Sequence, residues 1–178
     1  MSENAARPRY TVFLLMLVYA NSFLDRQIIS ILAEDIKLDL QISDTQLGIL
    51  TGLAFALFYA TLGLPIARLA DRFHRIGIIA ICMTLWSAMA VMCGLARNYV
   101  ELAAARVGVG VGEAGALPAS HSIIADLYSP EERSTAMAVF QMGVPIGVLL
   151  GFLVGGWVTE WFDWRTTLIL TGAPGILL

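Results

Sequence analysis

Long apolar segments are the feature of this sequence that most limits its possible folds. A helix needs about 20 predominantly apolar residues to cross the hydrocarbon core of a bilayer. On that measure the chain contains five full segments and part of a sixth. Hydrophobic residues make up 58% of the chain, charged residues make up 14%, and the mean hydropathy of +0.75 is far above that of soluble domains. The sequence therefore predicts an all-α membrane protein with helices over residues 10–32, 45–69, 76–96, 100–127, 132–158 and 165–178.

Two of these segments start with residues that favour a helix N-terminus. Ser43 followed by Gln46, and Ser129 followed by Glu132, both match the capping box, in which two side chains bond reciprocally to the first backbone N–H groups. Pro130 also suits the first helical position. We therefore expect helices to begin next to Ser43 and Ser129.

The last segment is too short for a full crossing. It stops at Leu178 after about 14 residues, and no polar residue ends it. We expect a fragment of a longer protein rather than an unusual half-length one.

The basic residues predict the orientation, because Lys and Arg in short loops are retained on the cytoplasmic side. The N-terminal tail and the second and fourth loops carry Arg7, Arg9, Arg68, Arg72, Arg75 and Arg133. The opposite side carries only Lys37, Arg97 and Arg165. We therefore expect an integral multi-pass protein with a cytoplasmic N-terminus. We also expect its membrane to be the bacterial inner membrane, which the basic residues alone do not establish.

Charge and composition exclude several classes of site. A net charge of -3 and thinly spread basic residues argue against a nucleic-acid partner. Cys82 and Cys93 lie in one apolar segment at a spacing that suits neither a disulfide nor a metal site. His74 and His121 have no ligand partners at metal spacing. We expect no metal and no cofactor.

Four ionisable residues, Asp25, Arg26, Arg106 and Glu113, fall inside the predicted spans. A charge at the bilayer centre costs about 2.5 to 3.5 kcal/mol on insertion scales, so it is retained where pairing or function offsets that cost. The helical rise places Asp25 and Arg106 at similar depth in the outer half of the bilayer. Glu113 lies two turns deeper on the same face as Arg106. These side chains are expected to meet in a hydrated space, either as a static ion pair or as a working site.

Glycines suggest where the helices pack closely. Gly108 and Gly112 lie nearly opposite the charged stripe of the fourth segment, and Pro118 is expected to bend its inner end. The fifth segment places glycines at a spacing of four, at Gly143, Gly147, Gly151 and Gly155, with Pro145 as a potential kink. The stripe is expected to serve packing, or to permit sliding during transport.

Several stretches resemble the major facilitator superfamily of secondary transporters, and in particular its spinster-like subgroup. LADRFHR resembles the superfamily's loop signature G-x-x-x-D-R-x-x-R, in which Asp71, Arg72 and Arg75 match and Ala67 replaces the first glycine. The fourth-helix pattern R-x-x-x-G-x-G is matched by RVGVGVG, and the usual opening of the sixth helix by WRTTLILTGAPG. Spinster-like sequences are similar to NSFLDRQ, SDTQLGIL and GEAGALPASHSIIADLY.

The resemblance implies the N-terminal six-helix half of a twelve-helix transporter, built from two inverted three-helix repeats. Such a protein is not an enzyme but moves a small or amphipathic, lipid-like solute by alternating access, here with proton coupling. The implied partners are the solute, the proton, membrane lipids and the missing C-terminal half. Phe23, Phe55 and Tyr59 are candidates to line an apolar path or to face lipid.

A mechanism follows as a hypothesis. Asp25 takes up and releases a proton and exchanges partners among Arg26, Arg106 and Glu113, with Asn21 in the same cavity. The resemblance further implies that Asp71, Arg72 and Arg75 form a cytoplasmic gating loop, which contacts the other half when the transporter faces outward.

Two rival classes stand beside this interpretation. An intramembrane enzyme would use Ser120, His121, Ser122 and Asp126, but His121 points about 100° away from the helix face that Ser122 and Asp126 share. The other class is a passive channel or a non-transporting membrane scaffold.

Overall fold

The structure is a computed structural model of the 178-residue chain, and it describes residues 3–53, 56–61, 65–66 and 74–177. Over these ranges the chain is helical with short connections, and no strand occurs in them.

The helices follow one another closely along the chain. In order they are α1 Glu3–Ile31, α2 Ala33–Leu40, α3 Asp44–Gly48, α4 Arg75–Leu95, α5 Tyr99–Glu113, α6 Ala116–Leu127, α7 Pro130–Gln141, α8 Gly143–Trp161, α9 Trp164–Gly172 and α10 Pro174–Leu177. Helix α3 continues into a π-helical turn, Ile49–Leu53, and residues 56–61 are also helical.

Three helical stretches among the described residues are long and apolar enough to cross a membrane: Pro8–Ile31, Arg75–Leu95 and Pro130–Trp161. They lie over the first, third and fifth predicted segments. The fourth predicted segment is divided between α5 and α6, and the sixth between α9 and α10. Part of the second segment lies outside the described residues.

Prolines account for two of the interruptions, the one between α5 and α6 and the one between α7 and α8. A proline has no N–H, so the carbonyl four residues before it loses its helical partner and meets the ring. Pro118 follows Ala114, where α5 gives way to α6, by four positions. Pro145 follows Gln141, the last residue of α7, by the same four positions. The breaks thus lie one turn before each proline.

One of the two predicted capping boxes is confirmed. The Ser43 hydroxyl accepts a hydrogen bond from the backbone N–H of Gln46 at 3.2 Å, and the Gln46 side chain accepts one from the Ser43 backbone N–H at 2.9 Å.

The second predicted box, at Ser129, is wrong. Helix α7 does begin at Pro130, but the Ser129 side chain makes no cap hydrogen bond. The neighbouring carboxylate of Glu131 takes the Ser129 hydroxyl as a hydrogen-bond donor instead. The pKa of the Glu131 carboxyl lies below its ordinary value because its own backbone N–H and the Ser129 hydroxyl both donate to it.

Two caps formed by the usual N-cap residue types were missed by the sequence interpretation. The Asn98 side chain accepts a hydrogen bond from the backbone N–H of Glu101 at 3.0 Å, and Asp163 accepts one from that of Thr166 at 2.8 Å. Both residues belong to the group that favours the N-cap, so the signal was present in the sequence.

Two buried apolar clusters hold the bundle together. One joins the end of α1 to α2, α4, α5 and α9 around Trp86, and the other joins the start of α1 to α4, α6 and α7 around Phe140. Residues 21–26 of α1 lie between the two clusters along that helix, which is where the polar side chains are placed.

Helix α8 packs against α1 along its glycines. A Cβ on Gly143 would lie 2.7 Å from the carbonyl oxygen of Met16, and one on Gly147 would overlap the carbonyl oxygen of Ala20. Gly151 continues the same contact one turn further. Side chains at these positions would separate the two helices.

Glycines also bring α5 against α4. A Cβ on Gly108 would lie 2.6 Å from the Met89 side chain, and one on Gly112 would lie 2.7 Å from the backbone nitrogen of Trp86. The glycine face of α5 therefore lies directly against α4.

Candidate functional site

Helix α1 presents a row of polar side chains at the gap between the two apolar clusters. Asn21 and Asp25, like Ser22 and Arg26, are four residues apart, so each pair shares a helix face. The Asn21 side-chain amide donates a hydrogen bond to Asp25 Oδ2 at 3.3 Å. The helix itself therefore orients the Asp25 carboxylate.

Helix α5 supplies the opposing charges. Arg106 is 3% exposed and Glu113 is 2% exposed, and two turns of one helix separate them. Both lie against α1 rather than toward lipid, because partners on α1 reach them.

The ion pair that joins the two helices is Arg26–Glu113. Glu113 Oε2 accepts a hydrogen bond from Arg26 Nε at 2.8 Å and lies 2.6 Å from Arg26 Nη2. The Ser22 hydroxyl donates to the same oxygen at 3.0 Å. Charge-assisted bonds of this kind are the strong ones, and they offset part of the desolvation of Glu113. The other oxygen, Oε1, is buried and has no hydrogen-bond partner among the described residues.

Asp25 belongs to the same cluster. It is 5% exposed and interacts electrostatically with both Glu113 and Arg106. A carboxylate and a guanidinium thus act on it from one neighbouring helix. The structure brings together five residues singled out in the sequence, which are Asn21, Asp25, Arg26, Arg106 and Glu113. Of these, Arg26 and Glu113 line a small cavity.

Sequence reasoning missed Ser22. Its hydroxyl shares the Glu113 oxygen with Arg26, and the residue is 6% exposed. The available signal was its position one turn before Arg26 on the same face of α1. Its partner lies 91 positions away in the chain, so the contact itself depends on tertiary packing.

A small cavity opens beside the Arg26–Glu113 pair. Ser22, Tyr59 and Trp86 are among the residues that line it. About 10 Å³ is open to the centre of a water molecule, which is room for about one water. The ion pair therefore borders a space that can be hydrated.

Aromatic rings form one wall of this cavity. Tyr19 stacks on Phe140 with ring centroids 4.6 Å apart, and Phe23 meets Tyr19 edge-on at 5.1 Å. The guanidinium carbon of Arg26 lies 4.9 Å from the Tyr59 centroid and 5.2 Å from that of Phe23. Arg26 is therefore held between a carboxylate and two rings. Phe55, the third aromatic candidate, lies outside the described residues.

Only part of the expected gating loop can be placed, because Asp71 and Arg72 lie outside the described residues. Arg75 begins α4 and forms an ion pair with Asp126 near the end of α6. Arg133 Nη2 donates to the carbonyl oxygen of Ala125 at 2.7 Å. These arginines therefore link helix ends on one side of the bundle.

The opposite end of the bundle has its own charged contacts. Arg165 Nη1 lies 2.6 Å from Asp39 Oδ2, and Arg165 Nη2 donates to the carbonyl oxygen of Ala96 at 3.2 Å. Lys37 Nζ lies 2.5 Å from Asp44 Oδ1. Since α4 has 21 residues, this end lies about 31 Å from Arg75.

Three of the four residues of the rival enzyme class have contacts elsewhere. The Ser120 hydroxyl donates to the carbonyl oxygen of Ala116 at 2.7 Å, and Asp126 pairs with Arg75. The His121 ring lies edge-on to Phe140 with centroids 5.5 Å apart. In the described part of the chain, no three His, Cys, Asp or Glu side chains are grouped as metal ligands.

Comparison with known proteins gives consistent relatives. The family model described as Major Facilitator Superfamily matches residues 15–178. An MFS-type efflux pump of Mycolicibacterium smegmatis is 38% identical over 167 residues, which are 94% of this chain and 39% of that protein. Protein spinster of Drosophila melanogaster is 30% identical over 169 residues, which are 94% of this chain and 28% of that protein.

A solved structure agrees in fold. The crystal structure of a bacterial homologue of the human lysosomal transporter spinster, inward-facing and unoccupied, is 37% identical and superposes with a TM-score of 0.88. The match covers 99% of this chain and 42% of the homologue's chain. The chain therefore spans less than half the length of these relatives. The chain is an integral membrane protein with half of a twelve-helix fold. It belongs to the Major Facilitator Superfamily, and spinster proteins are among its relatives.

Proposed function

We propose that this chain is the N-terminal half of a proton-coupled secondary active transporter, which moves a small or amphipathic, lipid-like solute by alternating access. Family membership and the named efflux pump support transport. The observation that carries the coupling is the buried cluster in which Asp25 lies beside the Arg26–Glu113 pair.

The proposed coupling uses competition for one carboxylate. A neighbouring carboxylate favours the protonated form of an acid, whereas a neighbouring guanidinium favours the charged form. Asp25 has one neighbour of each kind, the Glu113 carboxylate and the Arg106 guanidinium, and both belong to α5. A small shift of α5 along α1 therefore changes the proton affinity of Asp25.

Arg26 provides the exchange of partners. It is adjacent to Asp25 in the chain, and its side chain is 29% exposed. If the Arg26 guanidinium moved away from Glu113, it would approach Asp25. Its positive charge would favour the ionised carboxylate, so Asp25 would release its proton. Glu113 would then retain the Ser22 hydroxyl as a partner.

Glycines and interrupted helices supply the freedom to move. Because α8 contacts α1 through Gly143, Gly147 and Gly151, no side chain of α8 blocks a slide at those points. The breaks between α5 and α6 and between α7 and α8 are places where each half-helix can tilt separately.

The proposed setting is the bacterial inner membrane, with the N-terminus in the cytoplasm. The end of the bundle that carries Arg75 and Arg133 then faces the cytoplasm, and Asp71, Arg72 and Arg75 form the loop that contacts the other half. The proposed partners are the solute, the proton, membrane lipids and the C-terminal half. The wall formed by Tyr19 and Phe140 suits the apolar part of an amphipathic solute.

The test uses the full-length transporter that contains this chain, reconstituted in liposomes with a fluorescent lysophospholipid as the probe. An imposed pH gradient should drive net movement of the probe in the unaltered protein. Asp25→Asn should abolish that component but retain exchange of probe at equal concentrations, because exchange needs no net proton movement. Asp35→Asn, at an exposed position on α2, serves as the matched control.

Several results would contradict the proposal. Normal gradient-driven movement in Asp25→Asn would remove this residue from the coupling. A passive channel would show downhill movement without accelerated exchange, and a scaffold would show neither.

A further inference from the structure

Tyr59 joins the second predicted segment to the charged residues. Within residues 56–61 it alone is half-buried, and the other five residues are exposed. Its side chain packs against the apolar cluster around Trp86 and lines the small cavity together with Arg26 and Glu113. Among the described residues of the second segment, Tyr59 is the one that lines this cavity.

The Tyr59 ring contacts the positive member of the ion pair. The guanidinium carbon of Arg26 lies 4.9 Å from the ring centroid, inside the limit of about 6 Å for a cation–π contact. Arg26 Nε and Nη2 lie 2.8 and 2.6 Å from Glu113 Oε2. Because the carboxylate bonds to N–H groups and the ring attracts the charge as a whole, Arg26 makes both contacts at once.

This ring favours one of the two partners available to Arg26. The ring contact exists while Arg26 is bound to Glu113, so it stabilises that arrangement. Successive residues of a helix point about 100° apart, so Asp25 lies on a different face of α1 from Arg26. Asp25 is also not among the described residues that line the cavity. Turning to Asp25 would therefore take the guanidinium off the Tyr59 ring.

The second ring near Arg26 has a different relation to it. Phe23 lies 5.2 Å from the same guanidinium carbon, but it belongs to α1 and moves together with Arg26. Tyr59 belongs to another segment, so its distance from Arg26 changes whenever that segment shifts against α1. The Tyr59 contact can therefore respond to a movement between helices.

We propose that Tyr59 is a positioning residue for the exchange of partners: its ring holds Arg26 on Glu113, and withdrawal of the second segment releases Arg26 to Asp25. The inference rests on the proposed proton coupling, in which Arg26 makes that exchange. It adds the element that drives the exchange, because movement of the second segment against α1 then determines when Asp25 loses its proton.

Other charged and titratable groups act on the same exchange, and they belong to α1, α4 and α5. Those that interact electrostatically with Arg26 or Asp25 are Glu113 and Arg106 of α5, Cys93 of α4 and Tyr19 of α1. These groups set the baseline proton affinity of Asp25. Tyr59 adds an interaction that depends on the position of the second segment.

The experiment uses the full-length transporter in liposomes with the fluorescent lysophospholipid as the probe. It measures the pH on the acidic side at which gradient-driven movement of the probe is half-maximal. Tyr59→Phe keeps the ring and should leave this pH unchanged. Tyr59→Leu removes the ring, so Arg26 spends more time at Asp25 and favours its ionised form. Half-maximal movement should then need a pH lower by about 0.5 to 1 unit, a change of about threefold to tenfold in proton affinity.

Fluorinated phenylalanines at position 59 separate the charge of the ring from its shape. One, two or three fluorine atoms withdraw increasing negative charge from the ring face, whereas the shape changes little. The half-maximal pH should fall stepwise along this series, and a purely structural role would leave it constant. The series also decides the question if Tyr59→Leu does not fold. Phe58→Leu, at a neighbouring position that is 37% exposed, is the matched control and should cause no shift.

Two failures can be told apart. If a pH gradient drives the probe in the unaltered protein but the half-maximal pH is the same across the Tyr59 variants, the role of Tyr59 alone is overturned. An equally large shift in Phe58→Leu would overturn it as well. If a pH gradient drives no net movement in the unaltered protein, the proposed coupling is contradicted and, with it, this inference.

Discussion

Single residues explain how charges can persist at membrane depth in this protein. Glu113 is almost fully buried, yet one of its oxygens has both Arg26 and Ser22 as donors. Removing one member of a buried pair leaves an uncompensated charge, which costs more than the pair itself contributes. The intramembrane charges could be recognised from the sequence because any charged side chain within an apolar segment costs free energy in lipid. Their pairing could not, since Arg26 and Glu113 lie 87 positions apart.

The Arg26–Glu113 pair should therefore show strong coupling. Glu113→Leu is expected to lower the free energy of unfolding of the full-length protein by about 3 kcal/mol, the lower end for a buried pair because Arg26 is partly exposed. Arg26→Met combined with Glu113→Leu should lose less than the sum of the two single changes. Unfolding in mixed micelles measures all three variants. A double variant that loses the full sum would show that the two residues do not interact.

At the scale of elements, helix positions and caps could be predicted where the signal lies in neighbouring residues, and less well where it depends on competing contacts. The apolar lengths indicated where helices lie, and the Ser43–Gln46 box depends only on neighbouring residues. The Ser129 box failed because Glu131 takes the serine hydroxyl, a choice that the box pattern does not encode. Likewise, the sequence indicated bends near Pro118 and Pro145, but the breaks lie where each missing N–H leaves a carbonyl unpaired, one turn earlier.

The contact between α8 and α1 gives a prediction at this scale. Gly147→Ala places a Cβ against the Ala20 carbonyl oxygen, so the helices must separate and stability should fall by about 1–3 kcal/mol. Gly156→Ala on the same helix is the control, since nothing lies within 4 Å of a Cβ there. It should be neutral or stabilising by up to about 1 kcal/mol from helix propensity. Equal unfolding midpoints for the two variants would argue against close packing at Gly147.

The whole molecule combines linked ends with a polar centre. Arg75 and Asp126 join α4 to α6 at one end, whereas Arg165 joins Asp39 and Ala96 at the other. Between these ends, about 31 Å apart, lie the charges of α1 and α5. Such an arrangement suits a half that moves as a unit against another half, with its working groups at mid-depth.

The loop that contains Asp71, which we propose to be cytoplasmic, should influence which way the full transporter faces. Asp71→Lys reverses a charge in the proposed contact with the other half, so the outward-facing population should decrease. Cysteines introduced singly at the two ends of the cavity report this as a changed ratio of labelling by a membrane-impermeant maleimide. The same cysteines with Asp35→Lys provide the control. Labelling ratios that do not differ between the two variants would count against a gating role for the loop.

The central claim is that Asp25 changes protonation inside the folded bundle, and infrared difference spectroscopy of the full-length transporter tests it most directly. Between acidic and alkaline pH, the unaltered protein should show the carbonyl stretch of a protonated carboxyl group appear and disappear. That band should be missing from Asp25→Asn and present in Asp35→Asn. A difference spectrum that is identical with and without the Asp25 carboxyl group would contradict the account.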